Sequence, residues 1–215
     1  MRKTMSRSRD YFSNHGRVRS FPWSLYHEPL ERSLESFIRR RRERCQGTLE
    51  VLVIGCGLMQ ELEYLPENIR VTAIDIDSRA TEALASRQDP RIAVTKAVTP
   101  SDDLRALGTF DAIYAKEVIE HILEPDAYLE QLFSILRPGG AIWLSTPNYG
   151  EPWLPIVEST FLEAVARFSG FTRKGIHPTR FSHRRLRDCM QRAGFQSVEV
   201  KPVSLRLALV VEGEK

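Results

Sequence analysis

The sequence predicts an α/β fold, a three-layer sandwich around a mainly parallel β-sheet. Apolar runs that do not alternate with polar residues indicate strands buried on both faces, and segments of helical periodicity separate them. That repeated strand–helix order is typical of a parallel sheet covered on both sides. The final two apolar runs, VEVK and LRLALVVEG, are only a few residues apart and predict an antiparallel hairpin.

Composition bounds the class of protein. The 215 residues are 42% hydrophobic, enough for one domain with a sizeable core. The net charge of +3 neither demands nor excludes nucleic acid. Cys45, Cys56 and Cys189 have no paired spacing, so we expect neither a disulfide framework nor a zinc site. No apolar run approaches the length of a bilayer, and we expect a cytoplasmic protein without a membrane partner.

The amino-terminal region is strongly basic. Residues 1–20 contain one acid, Asp10, and predict a flexible arm, whereas the aromatic residues that follow are expected to pack on the core: Phe21, Trp23 and Tyr26. A helix is expected to begin near Pro29, because apolar residues then repeat at helical spacing. We therefore assign residues 1–45 to a basic arm and lid helix, and residues 46–215 to the ligand-binding domain.

The lid helix ends in RRRRER, residues 39–44. Such a run can bind phosphates. Cations also favour the carboxyl end of a helix, which makes the run a solvated structural face instead.

The central feature is the strand of residues 51–54, which ends at Gly55, Cys56 and Gly57. Glycine allows a sharp turn and the close approach of a ligand. A second strand, residues 71–74, ends in Asp75, which is positioned to bind two ribose hydroxyls. The pattern predicts a nucleotide-binding βαβ unit. A dinucleotide-binding dehydrogenase is the competing interpretation, but the third glycine of that fingerprint is absent.

The next elements follow from capping and turn residues. We expect a helix over residues 59–65, a helix from residue 78 capped by Asp77 or Ser78, and a strand over residues 91–95. Residues 96–108 read as a loop lining the ligand crevice. There, Asp102 and Asp103 are expected either to reach an adenine amino group or to cap the turn that follows.

The carboxyl-terminal half continues the alternation. A strand over residues 112–115 leads to a helix that begins at Pro125 and stops at residues 137–140. A strand over residues 141–145 and a helix over residues 182–192 complete the pattern before the hairpin.

Several segments together resemble the class I S-adenosylmethionine-dependent methyltransferases over residues 48–212: VLVIGCG, the acid in VTAIDID, FDAIYAKEVIEH, LRPGGAIWLSTPN and AGFQSVEV. EVIEH and STPN are most similar to ubiquinone-pathway O-methyltransferases and related bacterial small-molecule enzymes. The resemblance implies a Rossmann-like fold with a seven-stranded, mostly parallel sheet, a carboxyl-terminal antiparallel hairpin, and S-adenosyl-L-methionine as cofactor.

The resemblance also implies roles for residues. The turn Gly55, Cys56 and Gly57 would pass under the methionine part of the cofactor, and Asp75 would hold the ribose. Four further positions would contact the cofactor: Ile76 and Val98 at the adenine, and the backbone of Ala115 and Lys116 at the amino group. Two positions depart from the family pattern, which usually has an acid where Val53 stands and a glycine where Met59 stands.

A methyl acceptor often has to lose a proton, and histidine is the usual base. The candidates are His121, His177 and His183, of which His121, at the mouth of the predicted crevice, is our first choice as the catalytic residue. A histidine fixed by a backbone hydrogen bond is the alternative.

Glu117, Glu120 and His121 have the spacing of one helical face. In RNA 3′-terminal 2′-O-methyltransferases, residues in this context join a later histidine, here His177, to hold a divalent cation. Many relatives with the same EH pair need no metal, and we assign no metal ligand.

Residues 149–181 are predicted to form a cap over the acceptor, with Tyr149, Trp153 and His177 as substrate-binding candidates. Seven basic residues occur here and just beyond, without an intervening acid: Arg167, Arg173, Lys174, Arg180, Arg184, Arg185 and Arg187. They either favour an anionic acceptor or form a solvated helix face.

The resemblance thus implies an enzyme that methylates a hydroxyl of a small biosynthetic metabolite, which is anionic if the basic residues contact it. Two alternatives stay open. One is a metal-dependent RNA 3′-terminal 2′-O-methyltransferase, although a nucleic acid partner is the less favoured option. The other is a non-catalytic cofactor-binding regulator, motivated by Val53 and Met59. Oligomeric state cannot be read from the sequence.

Overall fold

The computed structural model of the protein describes residues 24–152, 154 and 177–215. Seven strands form one sheet: β1 Leu49–Ile54, β2 Ile69–Asp75, β3 Ile92–Ala97, β4 Phe110–Lys116, β5 Leu136–Pro147, β6 Gln196–Val203 and β7 Ala208–Glu214. Their order across the sheet is β3-β2-β1-β4-β5-β7-β6. Strands β1 to β5 pair in parallel, and β7 is antiparallel to both of its neighbours. The predicted mostly parallel sheet with a carboxyl-terminal hairpin is confirmed.

Helices lie on both faces of the sheet. In the described part of the chain the α-helices are α1 Ser24–Arg44, α2 Ser78–Ala85, α3 Pro125–Ile135 and α4 His183–Arg192. Along β1, Val51 and Val53 face the core under α1 and α2, while Leu52 and Ile54 face the core under α3 and α4. The continuous apolar run in this strand is therefore explained by burial on both faces.

Helix α1 extends further back than predicted. It includes Ser24, so the expected start near Pro29 is wrong and the proline lies inside the helix. Proline there cannot donate a hydrogen bond to the preceding turn. Packing outweighs that loss, because Leu30, Leu34 and their apolar neighbours on the same face are at most 1% exposed.

The arginine run at the end of α1 is tied to β7. Arg40 pairs with Glu212 at 2.7 Å, and Arg41 pairs with Glu214 at 3.3 Å. Arg41 also donates to the carbonyl oxygen of Gly139. These contacts support the structural interpretation of the run over phosphate binding.

Some predicted boundaries are wrong. Only Gln60–Glu63 forms a short 3₁₀ helix where a helix over residues 59–65 was expected. Strand β5 already begins at Leu136, which pairs with Phe110, so residues 137–140 belong to the strand and do not follow the helix as a stop. Strand β3 likewise reaches Ala97, two residues into the expected loop.

The residues predicted to mark the helix ends lie where they were expected. The Asp77 side chain accepts a hydrogen bond from the Arg79 amide and caps α2, and Pro125 is the first residue of α3. Gly194, with φ of +102°, follows α4 as predicted. The basic arm, Phe21 and Trp23 lie outside the described residues, whereas Tyr26 packs against the core under α1. Of the helices described here, none is both long enough and apolar enough to span a membrane.

Candidate active site

The glycine turn after β1 is held against β2. The amides of Gly55 and Cys56 donate to the carbonyl oxygen of Ile74 at 2.8 and 3.1 Å. Gly55 has φ of +68°, and a Cβ added there would lie 2.6 Å from a methyl group of Val118. Gly57 also has positive φ, +49°. Backbone conformation therefore favours glycine at both positions, and packing excludes a side chain at Gly55.

Asp75 lies beside this turn at the carboxyl end of β2. One oxygen of its carboxylate accepts a hydrogen bond from the Gly57 amide at 2.9 Å, and the other accepts from the Asp77 amide at 2.9 Å. Its backbone carbonyl accepts from the Val98 amide at 2.8 Å. The next residue, Ile76, is 71% exposed. The predicted residues of β1, β2 and β3 thus meet at one edge of the sheet.

Ala115 belongs to the same edge, because it pairs with Ile54 in the neighbouring strand. The predicted cofactor positions are consequently brought together by the four adjacent strands β3, β2, β1 and β4. A half-buried carboxylate, a glycine-containing turn and an exposed aliphatic residue side by side fit a ligand with a ribose and a purine.

Cys56 points away from solvent within the turn and is 4% exposed. Burial raises the pKa of its thiol to about 12, and the charges of Asp75 and Glu61 add to the effect. The thiol is therefore protonated at neutral pH.

Met59 occupies the position at which the family has glycine, and its backbone keeps the glycine conformation, with φ of 43° and ψ of 57°. Its side chain is 1% exposed and packs in the core under α1 and α2. Residue 59 thus has the left-handed conformation that favours glycine, and a residue with a side chain adopts it at an energetic cost.

A polar network that the sequence did not reveal lies behind the turn. Lys116 Nζ donates to a carboxylate oxygen of Glu31 in α1 at 2.5 Å and to one of Glu61 at 3.5 Å. Tyr114 Oη donates to Glu61 at 3.2 Å, and Tyr64 Oη donates to Glu31. Burial alone would lower the pKa of Lys116, but the two carboxylates outweigh it and raise the pKa. The charged lysine after the apolar run of residues 112–115 was the only sequence signal.

The acidic and histidine residues after β4 do not share one helical face. Glu117 has φ of 57° and lies before the 3₁₀ turn Ile119–His121, so that prediction is wrong. Its carboxylate accepts hydrogen bonds from Ser145 Oγ at 2.9 Å and from Tyr26 Oη at 2.7 Å. Glu117 thereby connects α1 to the end of β4. Its contacts differ from those of Glu120 and His121.

Glu120 and His121 instead meet His177. The ligand atoms of these three residues all lie within 4.8 Å of one another, and the two imidazole rings are 5.0 Å apart. Thr179 positions the later segment, because its amide donates to the Glu120 carbonyl at 3.1 Å and its hydroxyl to the Ile122 carbonyl at 2.6 Å. The predicted return of His177 to the residues after β4 is present in the structure.

Tyr149 extends this group. Its hydroxyl lies 2.5 Å from His177 Nδ1, and the Arg180 guanidinium lies 5.1 Å from the centre of its ring. Trp153 and the other aromatic residues expected in the cap lie outside the described residues: Phe161, Phe168 and Phe171. The same applies to Arg167, Arg173 and Lys174.

Hydrogen bonds indicate the roles of three other candidates, His183, Asp102 and Asp103. His183 Nε2 lies 3.0 Å from the Val200 carbonyl, a contact that ties α4 to β6. Asp103 accepts from the Arg105 amide at 3.0 Å and caps the next turn, and Asp102 accepts from the Thr99 amide at 2.6 Å. The structure supports the capping interpretation for Asp103, whereas Asp102 bonds back to Thr99 and does not cap the turn that follows.

Comparisons with known proteins agree with this architecture. A family model described as "Methyltransferase domain" matches residues 26–200. The ubiquinone biosynthesis O-methyltransferase of Xanthomonas axonopodis pv. citri is 35% identical over 104 residues, which are 46% of this chain and 43% of that protein. The chain thus spans less than half the length of this curated relative.

Two solved structures share the fold. Magnesium protoporphyrin IX methyltransferase of Synechocystis PCC 6803, with bound S-adenosylhomocysteine, has a TM-score of 0.66 at 14% identity, and the match covers 96% of this chain and 97% of that one. The N-methyltransferase NodS of Bradyrhizobium japonicum WM9, also in complex with S-adenosylhomocysteine, has a TM-score of 0.61 at 18% identity, covering 95% and 97%. With its sheet order, its glycine turn and the family match, the chain belongs to the methyltransferase-domain family, within the Rossmann-like class I S-adenosylmethionine-dependent methyltransferases.

Proposed function

We propose that the protein is an S-adenosyl-L-methionine-dependent methyltransferase that methylates a hydroxyl group of a small, anionic biosynthetic metabolite. The observation that carries the proposal is the half-buried Asp75 carboxylate, oriented by two backbone amides beside the Gly55–Cys56–Gly57 turn. The family match and the name of the curated relative support the reaction class. Residues 46–215 would be the catalytic domain and residues 149–181 its cap, with α1 as a lid.

The cofactor would bind across the edge formed by β3, β2, β1 and β4. Asp75 would accept hydrogen bonds from both ribose hydroxyls, which requires the carboxylate to exchange its contact with the Gly57 amide for the ligand. Ile76 and Val98 would contact the adenine, and the backbone at Gly55, Cys56, Gly57, Ala115 and Lys116 would face the methionine part. S-adenosylmethionine supplies an electrophilic methyl group on a sulfonium.

The chain must then hold the acceptor and remove its proton. His121 ends the 3₁₀ turn that follows β4, at the same edge of the sheet, and we assign it as the general base. Tyr149, Trp153 and His177 would line the acceptor site. Tyr149 and His177 form a hydrogen-bonded pair that orients the imidazole of His177 beside that of His121.

An anionic acceptor is supported by Arg180. Its guanidinium stacks on the ring of Tyr149, and the described part of the chain offers it no acidic partner. Three more arginines follow within a few residues of the sequence: Arg184, Arg185 and Arg187. Arginine presents paired donors that match a carboxylate or a phosphate.

The first experiment is a calorimetric titration of S-adenosylhomocysteine into the purified protein. We expect saturable binding with one site per chain. Asp75→Ala should weaken the affinity at least tenfold, because each hydrogen bond to a charged group contributes about 1.5–3 kcal/mol.

Asp188→Ala is the matched control, since it removes an aspartate from the solvent-facing side of α4. That variant should bind like the wild type. Equal affinity of the wild type and Asp75→Ala would refute the role of Asp75, and no binding by the wild type would overturn the proposed cofactor site as a whole.

A second candidate function is favoured by one observation, the convergence of Glu120, His121 and His177 within 4.8 Å. A carboxylate and two imidazoles suit a divalent cation such as Mn²⁺. Such an ion would lower the pKa of an acceptor hydroxyl, including the 2′-hydroxyl of an RNA 3′ end. Under this alternative His121 is a ligand and not the base.

Titration of Mn²⁺ into the protein separates the two candidates. Binding that is lost in His177→Ala and retained in His183→Ala, a histidine outside the group, would favour the metal-dependent enzyme. Identical heats for the wild type and His177→Ala would leave His121 as the base.

A further inference from the structure

We propose that Glu61 is an electrostatic positioning residue, whose buried carboxylate supplies the negative charge that orients the α-ammonium group of the methionine part of the cofactor. The inference rests on the proposed function and deepens it at one residue. It concerns a carboxylate in the turn after β1, where the sequence pattern of the family offers no expectation.

Glu61 is buried beside the glycine turn. It lies in the short helix Gln60–Glu63, which begins directly after the left-handed residue Met59, and it is 3% exposed. Its charge reaches the turn, since it is one of the groups that raise the pKa of Cys56. The left-handed backbone at residue 59 thus turns the chain so that this carboxylate points inward behind Cys56.

Glu61 is paired with Lys116, but both of its existing contacts are at long distances. The distance to Tyr114 Oη is 3.2 Å and the distance to Lys116 Nζ is 3.5 Å, both long for hydrogen bonds to a carboxylate. Lys116 is shared, and its contact with Glu31 is shorter, 2.5 Å. A carboxylate with two oxygens retains further acceptor capacity in this arrangement.

Burial of an ionised carboxylate is costly unless cationic or hydrogen-bonding groups compensate it. The methionine end of the cofactor carries an ammonium group and would come to this turn under the proposed function. Its positive charge would complete the surroundings of Glu61, and the low polarity of the site would make the attraction stronger than in water.

Strand β1 cannot supply this charge. Its single acid, Glu50, lies at the opposite end of the strand, and Val53 occupies the inward position next to Tyr114. Glu61 contacts the hydroxyl of that same Tyr114. The carboxylate is therefore delivered to the region above Val53 from the following turn and not from the strand.

The test compares two ligands and two variants by calorimetry. The ligands are S-adenosylhomocysteine and its analogue without the α-amino group. Glu61→Gln removes the charge and keeps the size, and Glu63→Gln is the matched control, a neighbouring glutamate of the same turn that is exposed. Circular dichroism melting confirms that each variant is folded.

We expect Glu61→Gln to lose at least tenfold in affinity for S-adenosylhomocysteine and to bind the deaminated analogue within twofold of the wild type. Glu63→Gln should leave both affinities unchanged. Equal losses for the two ligands would assign Glu61 a merely structural role and overturn the inference, as would no loss for either ligand.

A second measurement needs no variant. The wild type should bind S-adenosylhomocysteine at least tenfold more tightly than the deaminated analogue, and a ratio near one would also overturn the inference. These outcomes differ from failure of the proposed function, in which the wild type would bind neither ligand.

Discussion

Single residues differ sharply in their access to solvent, and the three thiols illustrate this. Cys45 is partly exposed after α1, whereas Cys56 and Cys189 are buried and have raised pKa values, chiefly because of burial. Iodoacetamide at pH 8 should therefore modify Cys45 in the folded protein and spare the other two, since only a thiolate in reach of solvent reacts.

Mass spectrometry of the alkylated protein measures the result, and the same reaction in urea, where all three should react, is the control. Alkylation of Cys56 at the rate of Cys45 under native conditions would contradict the buried position of the glycine turn.

Single residues also show what could and what could not be predicted from the sequence. Asp75 and the two glycines could be predicted, because their chemistry is local: a strand end, a turn and a carboxylate. Met59 read as a lost glycine, yet the backbone there keeps the left-handed conformation. Lys116 was expected to contribute its backbone alone, and its contacts with Glu31 and Glu61 depend on packing of α1 that no local pattern describes.

Among the elements, α1 has the largest predicted effect on stability. Its apolar face packs on the sheet, and Phe37 is 1% exposed. Phe37→Ala should lower the free energy of unfolding by about 3–5 kcal/mol, because it removes a buried ring and leaves a cavity. Urea denaturation followed by circular dichroism measures the change.

Leu25→Ala is the control on the same helix, since Leu25 is 54% exposed. It should change stability by less than about 0.5 kcal/mol. Similar losses in the two variants would mean that α1 does not pack as described.

Element boundaries were predictable where a residue acts locally, through its own backbone or a hydrogen bond to a near neighbour in sequence. Asp77, Pro125 and Gly194 are such residues, and each marks the helix end that was expected. The start of α1 was not predictable, because burial of four side chains outweighs the local preference of Pro29 for a first turn. The length of the short helix Gln60–Glu63 was overestimated, because the left-handed backbone at Met59 turns the chain just before it.

For the whole molecule, the alternation of strands and helices predicted a three-layer sandwich with a parallel sheet and a terminal hairpin. The strand order explains why residues far apart in sequence meet, since β1 lies between β2 and β4. The meeting of His177 with Glu120 and His121 was expected from the resemblance, but Glu117 was wrongly included. Its carboxylate instead accepts hydrogen bonds from Ser145 and Tyr26, which belong to other elements of the fold.

The buried thiol of Cys56 has a chemical consequence for a protein that would hold an alkylating reagent. A thiolate is a soft nucleophile and would compete with the acceptor for an activated methyl group. With a pKa of about 12, Cys56 carries its proton at neutral pH and is a poor nucleophile. The turn that would cradle the reagent would thereby resist self-alkylation, and the methyl group would remain available to the acceptor.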